Sequence, residues 1–295
     1  TLIFSMIKID YRFQEIPYGL EVDDAEYYYS AVTIGLDFDL DFSNQMEGVE
    51  NRYLNKEVKK VVPFHPIGSG ILASPFVFLG SIIEKIFNSN GLISLVYFAY
   101  SISPIFYLFL SIILVQYSMN SLGIRHNKYL LLIGVFGTGV SYYAFDRFSM
   151  SHIYEVFASA FLIYLTCKSL EQKNSSKFIY INFFLGFAIF FFLTIRWINY
   201  FFFLIPVIIY KISNSSIKNV YMKIPFISGA LLGLVMFLLH TKYLYGIYTL
   251  NQAPILLSIE NSFSENYTRF FNLDMFVENI IFIFNGLQII FFSQE

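Results

Sequence analysis

The chain predicts an all-α polytopic membrane protein. Hydrophobic residues make up 56% of its 295 residues and charged residues only 14%, where a soluble domain carries roughly 25% charged. Mean hydropathy is +0.59. Several apolar runs approach or exceed the ~20 residues that span a bilayer. The 36 Phe and 23 Tyr rise together with Ile, Asn and Lys, as codon bias in an AT-rich genome produces. A net charge of −2 argues against a nucleic-acid partner. The lone Cys167 excludes an internal disulfide and a cysteine metal cluster.

The candidate spans are 91–117, 129–145, 152–167, 178–195, 197–210, 224–240 and 276–292. Before them, residues 1–7 form an apolar stretch too short to span, which reads as the end of a helix begun upstream. The chain therefore reads as one transmembrane domain, 1–295, of a longer protein. Ile195-Arg196-Trp197 leaves almost no loop between two spans, so that corner belongs at a membrane interface.

Lys and Arg bias sets orientation. Segments 118–128, 168–177 and 211–223 together carry eight basic residues, and the alternate set carries four: Arg147, Arg196, Lys242 and Arg269. The first set is expected on the cytoplasmic side. The second faces outward, and with it the long acidic loop 10–66, whose net charge is −7. Segment 68–87 is apolar but holds Gly68, Gly70, Pro75 and Gly80, with Pro66 just ahead. If it crossed, the basic segments would switch sides. It is expected to be a broken helix lying in or dipping into the outer interface, because irregular backbone at that depth needs protein or a wet cavity around it.

The outer side gathers the residues with chemistry. Asp23-Asp24-Ala25-Glu26-Tyr27-Tyr28-Tyr29 carries adjacent carboxylates. Their repulsion raises one pKa and suits it to general-base work; a solvated acidic loop is the plain alternative. Asp37, Asp39 and Asp41 alternate with Phe38, Leu40 and Phe42, which predicts a strand with three carboxylates on one face. Such a face suits a divalent cation, although nothing in the sequence requires one. His65 heads segment 68–87 and can meet a metal, an acceptor or a phosphate. Asp146-Arg147 precede His152 and Glu155, which share a helix face at a spacing of three. Arg196 stands between two spans, where its planar fork suits a phosphate oxygen. Lys242 ends a later span on the same side and adds to phosphate binding or snorkels to headgroups.

The order of these pieces resembles the GT-C glycosyltransferases, in particular the bacterial relatives of protein O-mannosyltransferases and aminoarabinose transferases. The resemblance rests on Asp23-Asp24-Ala25-Glu26-Tyr27-Tyr28, His65-Pro66-Ile67-Gly68 leading to Ala73-Ser74-Pro75-Phe76, Met150-Ser151-His152, Arg196 with Asn199, and Phe284-Asn285-Gly286-Leu287. The chain departs from the pattern at Asp24, where the mannosyltransferases have Glu, and at Phe148-Ser149, where a Pro is common.

The resemblance implies a GT-C-like helix bundle in the cell membrane with its active site on the outer face. It implies a polyprenyl-phosphate sugar donor, a lipid, glycan or protein acceptor, and inverting transfer. Asp23 would be the catalytic base, Asp24 its support, and Arg196 with Lys242 the donor-phosphate ligands. His65, His152, Glu155, Asp146 and Tyr28 would line the substrate cavity. Two other classes remain open. A polysaccharide polymerase or ligase would use a pyrophosphate-linked donor, but usually carries its large outer loop late in the chain. A lipid or solute transporter would show internal repeats and mid-membrane broken helices.

Overall fold

The computed structural model describes residues 23–47, 53–55, 58–87, 94–124, 128–172, 177–215 and 223–248. The expected spans' last member, 276–292, the apolar stretch 1–7 and Arg269 lie outside them. The chain divides by contacts at Leu250, and every described residue belongs to the first unit.

Helix α1 covers Asp23–Val32 and runs into a π-helical turn at Thr33–Asp37. A two-residue hairpin, β1 Leu54–Asn55 with antiparallel β2 Lys60–Val61, follows. Then come α2 Gly68–Phe87, α3 Leu95–Ser121, α4 Lys128–Phe136, α5 Gly139–Phe145 and α6 His152–Glu171. Helix α7, Lys177–Phe191, ends in a 3-10 turn at Phe192–Thr194. A 3-10 segment Trp197–Phe203 leads into α8 Leu204–Ile212, and α9 covers Ile224–Tyr245. Among the described residues, five helical segments are long and apolar enough to cross a membrane: α2, α3, α6, α7 with its 3-10 turn, and α9. The protein is a multi-pass, all-α membrane protein.

Side-chain contacts fix the helix directions. Helices α3 and α6 run in parallel, tied by Tyr100 Oη donating to the Ser149 carbonyl at 3.2 Å, by the Ser103 and Tyr154 hydroxyls 2.6 Å apart, and by the Tyr107 ring against Phe157. Helix α7 returns against α6, with Ser169 donating to Asn182 at one end and Phe192 meeting Phe157 at the other. Tyr210 of α8 reaches back to Ser169 at 3.0 Å. Helices α7 and α9 lie parallel and nearly backbone to backbone. A Cβ added at Gly229 would collide with the Phe183 carbonyl, and one at Gly186 with that of Phe226. Small residues of this kind let membrane helices approach and gain dispersion contacts that lipid cannot supply. The bundle thus has two ends. Ser121, Glu171, Lys177, Ile212 and Lys223 lie at one; Arg147, Arg196 and Lys242 lie at the other. This is the alternation that the basic-residue count anticipates.

Two expected spans are not continuous helices. Segment 129–145 is interrupted at Gly137-Thr138, where Thr138 caps α5 by accepting from the Val140 N–H at 3.4 Å. Segment 197–210 begins as a 3-10 helix with a kink at Asn199, whose side chain donates to the Phe192 carbonyl at 3.3 Å.

Segment 68–87 differs from expectation in the opposite way: α2 is unbroken. Pro75 frees the Ile71 carbonyl, and the hydroxyl of Ser74 fills the vacancy at 2.9 Å. Pro104 in α3 frees the Tyr100 carbonyl, and Ser103 serves it in the same way at 2.7 Å. Serine hydroxyls are among the groups that satisfy proline-freed carbonyls inside membranes. The glycines are approach points rather than breaks. Gly68 packs on Thr194, and Gly70 on Ser30 of α1. Helix α2 starts beside Thr194 and the Tyr107 hydroxyl, which donates to the Leu72 carbonyl. It ends by the first turn of α3, where Glu84 accepts from the Val96 N–H. Although long enough to cross, α2 begins and finishes in the half of the bundle where α3 starts.

The expected strand 37–42 is absent too. Phe38 adopts a left-handed conformation, φ 58°. Asp39 accepts from the Asp41 N–H, Asp41 from the N–H and hydroxyl of Ser43, and Asp37 from Asn44 and Gln45. These carboxylates stabilise a turn by binding the local backbone, the usual competitor of strand pairing. The Ser43 hydrogen bonds hold the Asp41 carboxyl below the ordinary range.

Gly229→Ala tests the α7–α9 contact. The added methyl should force the helices apart and cost roughly 1–3 kcal/mol, seen as a lowered unfolding temperature in detergent. Gly134→Ala, where nothing lies within 4 Å, should leave that temperature unchanged.

Candidate functional site

Helix α1 places its residues on two faces by the 3.6-residue period. Asp24 and Tyr28, four apart, face the start of α3 and the turn before α6. Glu26 and Ser30, also four apart, face α2 and the strand leading into it.

Glu26 is buried, 3% exposed. One of its oxygens, Oε2, accepts from the N–H of Phe64 at 2.9 Å and of His65 at 3.0 Å, and meets His65 Nδ1 at 2.9 Å. The His65 ring also packs on Tyr27, centroids 5.3 Å apart. A buried carboxylate needs such partners to offset its desolvation. The result clamps α1 to the head of α2.

Asp24 is equally buried and accepts from Arg147 through Nη2 at 3.2 Å and Nε at 3.4 Å. The Tyr28 ring stands edge-on to Tyr97 and Tyr100, with centroids 5.2 and 5.0 Å away. Burial pushes its hydroxyl up to about 12, so Tyr28 keeps its proton at neutral pH and cannot serve as a base. Asp23 opens α1 one turn before Glu26 and Tyr27; its side chain lies outside the described part of the structure.

A second cluster lies at the head of α6. Glu155 Oε2 accepts from Arg196 Nη1 at 3.3 Å and meets His152 Nδ1 at 3.3 Å. The His152 ring rests on Tyr143 with centroids 4.1 Å apart. A cavity of about 570 Å³ opens here between α3, α5 and α6. Val115, Val140, Ile153 and Ile163 make its wall apolar, while His152 and Glu155 bring polar groups to it. The two clusters share one end of the bundle, because Gly68 packs on Thr194 two residues before Arg196.

Lys242 does not join Arg196. Its ammonium donates to the Gly246 carbonyl at 2.6 Å and lies 5.4 Å from the Tyr248 ring centroid. It caps the end of its own helix, whose last carbonyls attract a cation. Asp146 is exposed at the end of α5; its neighbour Arg147 is the residue that reaches α1. Among the described residues, no group of three or more His, Cys, Asp or Glu is arranged to hold a metal ion.

No family model, curated sequence or solved structure matches this chain. The site's reading therefore rests on its own geometry.

Sequence reasoning passes over Glu26 as a fixed point and Arg147 as the partner of Asp24. Glu26 carries a usable signal: a carboxylate one turn after Asp23, on the face that also bears Ser30, in a helix otherwise rich in aromatics. The Asp24 pairing has no local signal, since Arg147 lies 123 residues away.

Glu26→Ala should lower stability by about 2–4 kcal/mol, as it strips an acceptor from two backbone amides and an imidazole. Glu26→Gln retains an acceptor oxygen and should lose less. Thermal unfolding of both variants, with limited proteolysis of residues 62–67, reads the difference.

Proposed function

We propose that this protein is a glycosyltransferase of the cell membrane. It transfers a sugar from a polyprenyl-phosphate-linked donor to an acceptor hydroxyl at the outer face, with Asp23 as general base. The observation that supports this best is the immobilised acidic helix α1, held by Glu26 to His65 and by Asp24 to Arg147. It stands at the same end of the bundle as the Arg196 guanidinium. A general base and a phosphate ligand must sit on rigid supports at a membrane end for transfer from a lipid-borne donor, and general-base action contributes when the carboxylate is positioned.

In this reading the acceptor hydroxyl gives its proton to Asp23 and attacks the anomeric carbon from the face opposite the lipid phosphate. The bond from that carbon to the phosphate oxygen breaks, and the phosphate leaves with the electron pair. Arg196 stabilises the charge that develops on it. Asp24, committed to Arg147, orients α1 and so acts as a positioning residue. The resemblance to the GT-C glycosyltransferases points to the same donor class.

Mass spectrometry of lipid co-purifying with the full-length protein tests the donor class. A polyprenyl monophosphate, with or without a sugar, is the expected result. A pyrophosphate-linked oligosaccharide would replace this reading with that of a polymerase or ligase. With the donor in hand, Asp23→Asn should abolish transfer and leave the unfolding temperature unchanged; full activity in that variant would remove Asp23 as the base.

A further inference from the structure

Glu155 joins the two side chains at the head of α6. Its Oε2 is shared between Arg196 and His152, each at 3.3 Å. Both distances lie beyond the 2.7–2.9 Å expected of a strong charge-assisted bond between cation and carboxylate. Arg196 and His152 are partly open to solvent, with side chains 40% and 33% exposed. A pair this long and this exposed contributes little to stability and exchanges readily.

The same carboxylate lines the apolar cavity between α3, α5 and α6. The cavity's volume falls in the ~300–1,000 Å³ range of small-molecule pockets. An amphiphile suits it: hydrocarbon against Val115, Val140, Ile153 and Ile163, and an anionic head at the guanidinium and imidazole that now hold Glu155.

We propose that Glu155 is an internal stand-in for the phosphate of a prenyl-chain ligand: it holds Arg196 and His152 while the site is empty, and the incoming phosphate displaces it. This rests on the reading of Arg196 as a phosphate ligand and adds what that reading lacks, a competitor built into the chain. A ligand must overcome the latch before it binds, so apparent affinity falls by the fraction of molecules in which Arg196 is released. The device sets a threshold: an anion with one weak contact does not open it, whereas a phosphate that accepts from both Arg196 and His152 does.

The experiment titrates the full-length protein in detergent with farnesyl phosphate and follows fluorescence of the sole tryptophan, Trp197, which adjoins Arg196 in the chain. Farnesol and dihexanoyl phosphatidic acid are run beside it. Wild type should bind farnesyl phosphate and not farnesol. Glu155→Gln should bind it about five-fold tighter, and Arg196→Gln about ten-fold weaker or worse. In the Arg196→Gln background, Glu155→Gln should lose most of its gain, because the latch has no partner left to release.

Glu155→Gln that folds as wild type and binds no tighter overturns the stand-in while leaving the phosphate site intact. Absence of binding in wild type overturns the phosphate site itself. Equal binding of phosphatidic acid, with the same dependence on residue 155, assigns the site to membrane phospholipid and overturns the prenyl assignment. If Glu155→Gln does not purify folded, Glu155→Asp decides by the same criterion, since its shorter reach also weakens the latch.

Discussion

One carboxylate oxygen organises the upper half of this protein. Glu26 Oε2 gathers the Phe64 and His65 amides and the His65 ring. By doing so it sets α1 against the strand that leads into α2. Everything else at that end depends on this register. Ser30 meets Gly70, the π-helical turn brings Gly35 against Ser74, and Asp24 comes to face Arg147. A buried anion with three donors tolerates little displacement, because each lost donor exposes its full desolvation cost.

Around this point the helices solve a membrane problem with small means. Two prolines lie inside helices, and a serine directly before each donates to the carbonyl that the proline leaves bare. Glycines let α7 and α9 touch backbone to backbone and let α2 press on α1 and on the end of α7. The aromatic residues then fill the intervals: Tyr28, Tyr97, Tyr100 and Phe148 form one cluster above the start of α3. The result is a rigid end carrying acid, imidazole and guanidinium, and a plainer opposite end joined by Ser169, Asn182 and Tyr210.

The functional reading places different demands on the two clusters. The α1 cluster is built for immobility, with both carboxylates nearly closed to solvent. The cluster at α6 has a more open carboxylate, Glu155 being 17% exposed, while its 3.3 Å contacts match those of Asp24 with Arg147. A base must stay where the acceptor arrives, and a phosphate ligand must let go between turnovers.

Much of this architecture is legible in the sequence. Composition alone determines the membrane class, since a chain this apolar has no soluble solution. Apolar runs locate α3, α6, α7 and α9 within a few residues, and the basic segments alternate as the helix directions require. His152 and Glu155 at a spacing of three fall on one face, as the helical period demands. Local pattern fails where backbone needs are met from elsewhere. Pro75 and its neighbouring glycines read as a break, yet Ser74 and the surfaces of α1 and Thr194 turn them into an unbroken helix. Asp37, Asp39 and Asp41 read as a strand face, yet no partner strand stands opposite and they bind their own turn. Lys242 reads as a phosphate ligand, yet its nearest acceptor is the end of its own helix. The pairings that define the site join residues 39, 41 and 123 positions apart. Periodicity carries information over one or two turns of chain, so the sequence by itself determined which residues bear charge and which segments are helical. Only the tertiary structure decided which charges meet, because that is set by the packing of whole helices.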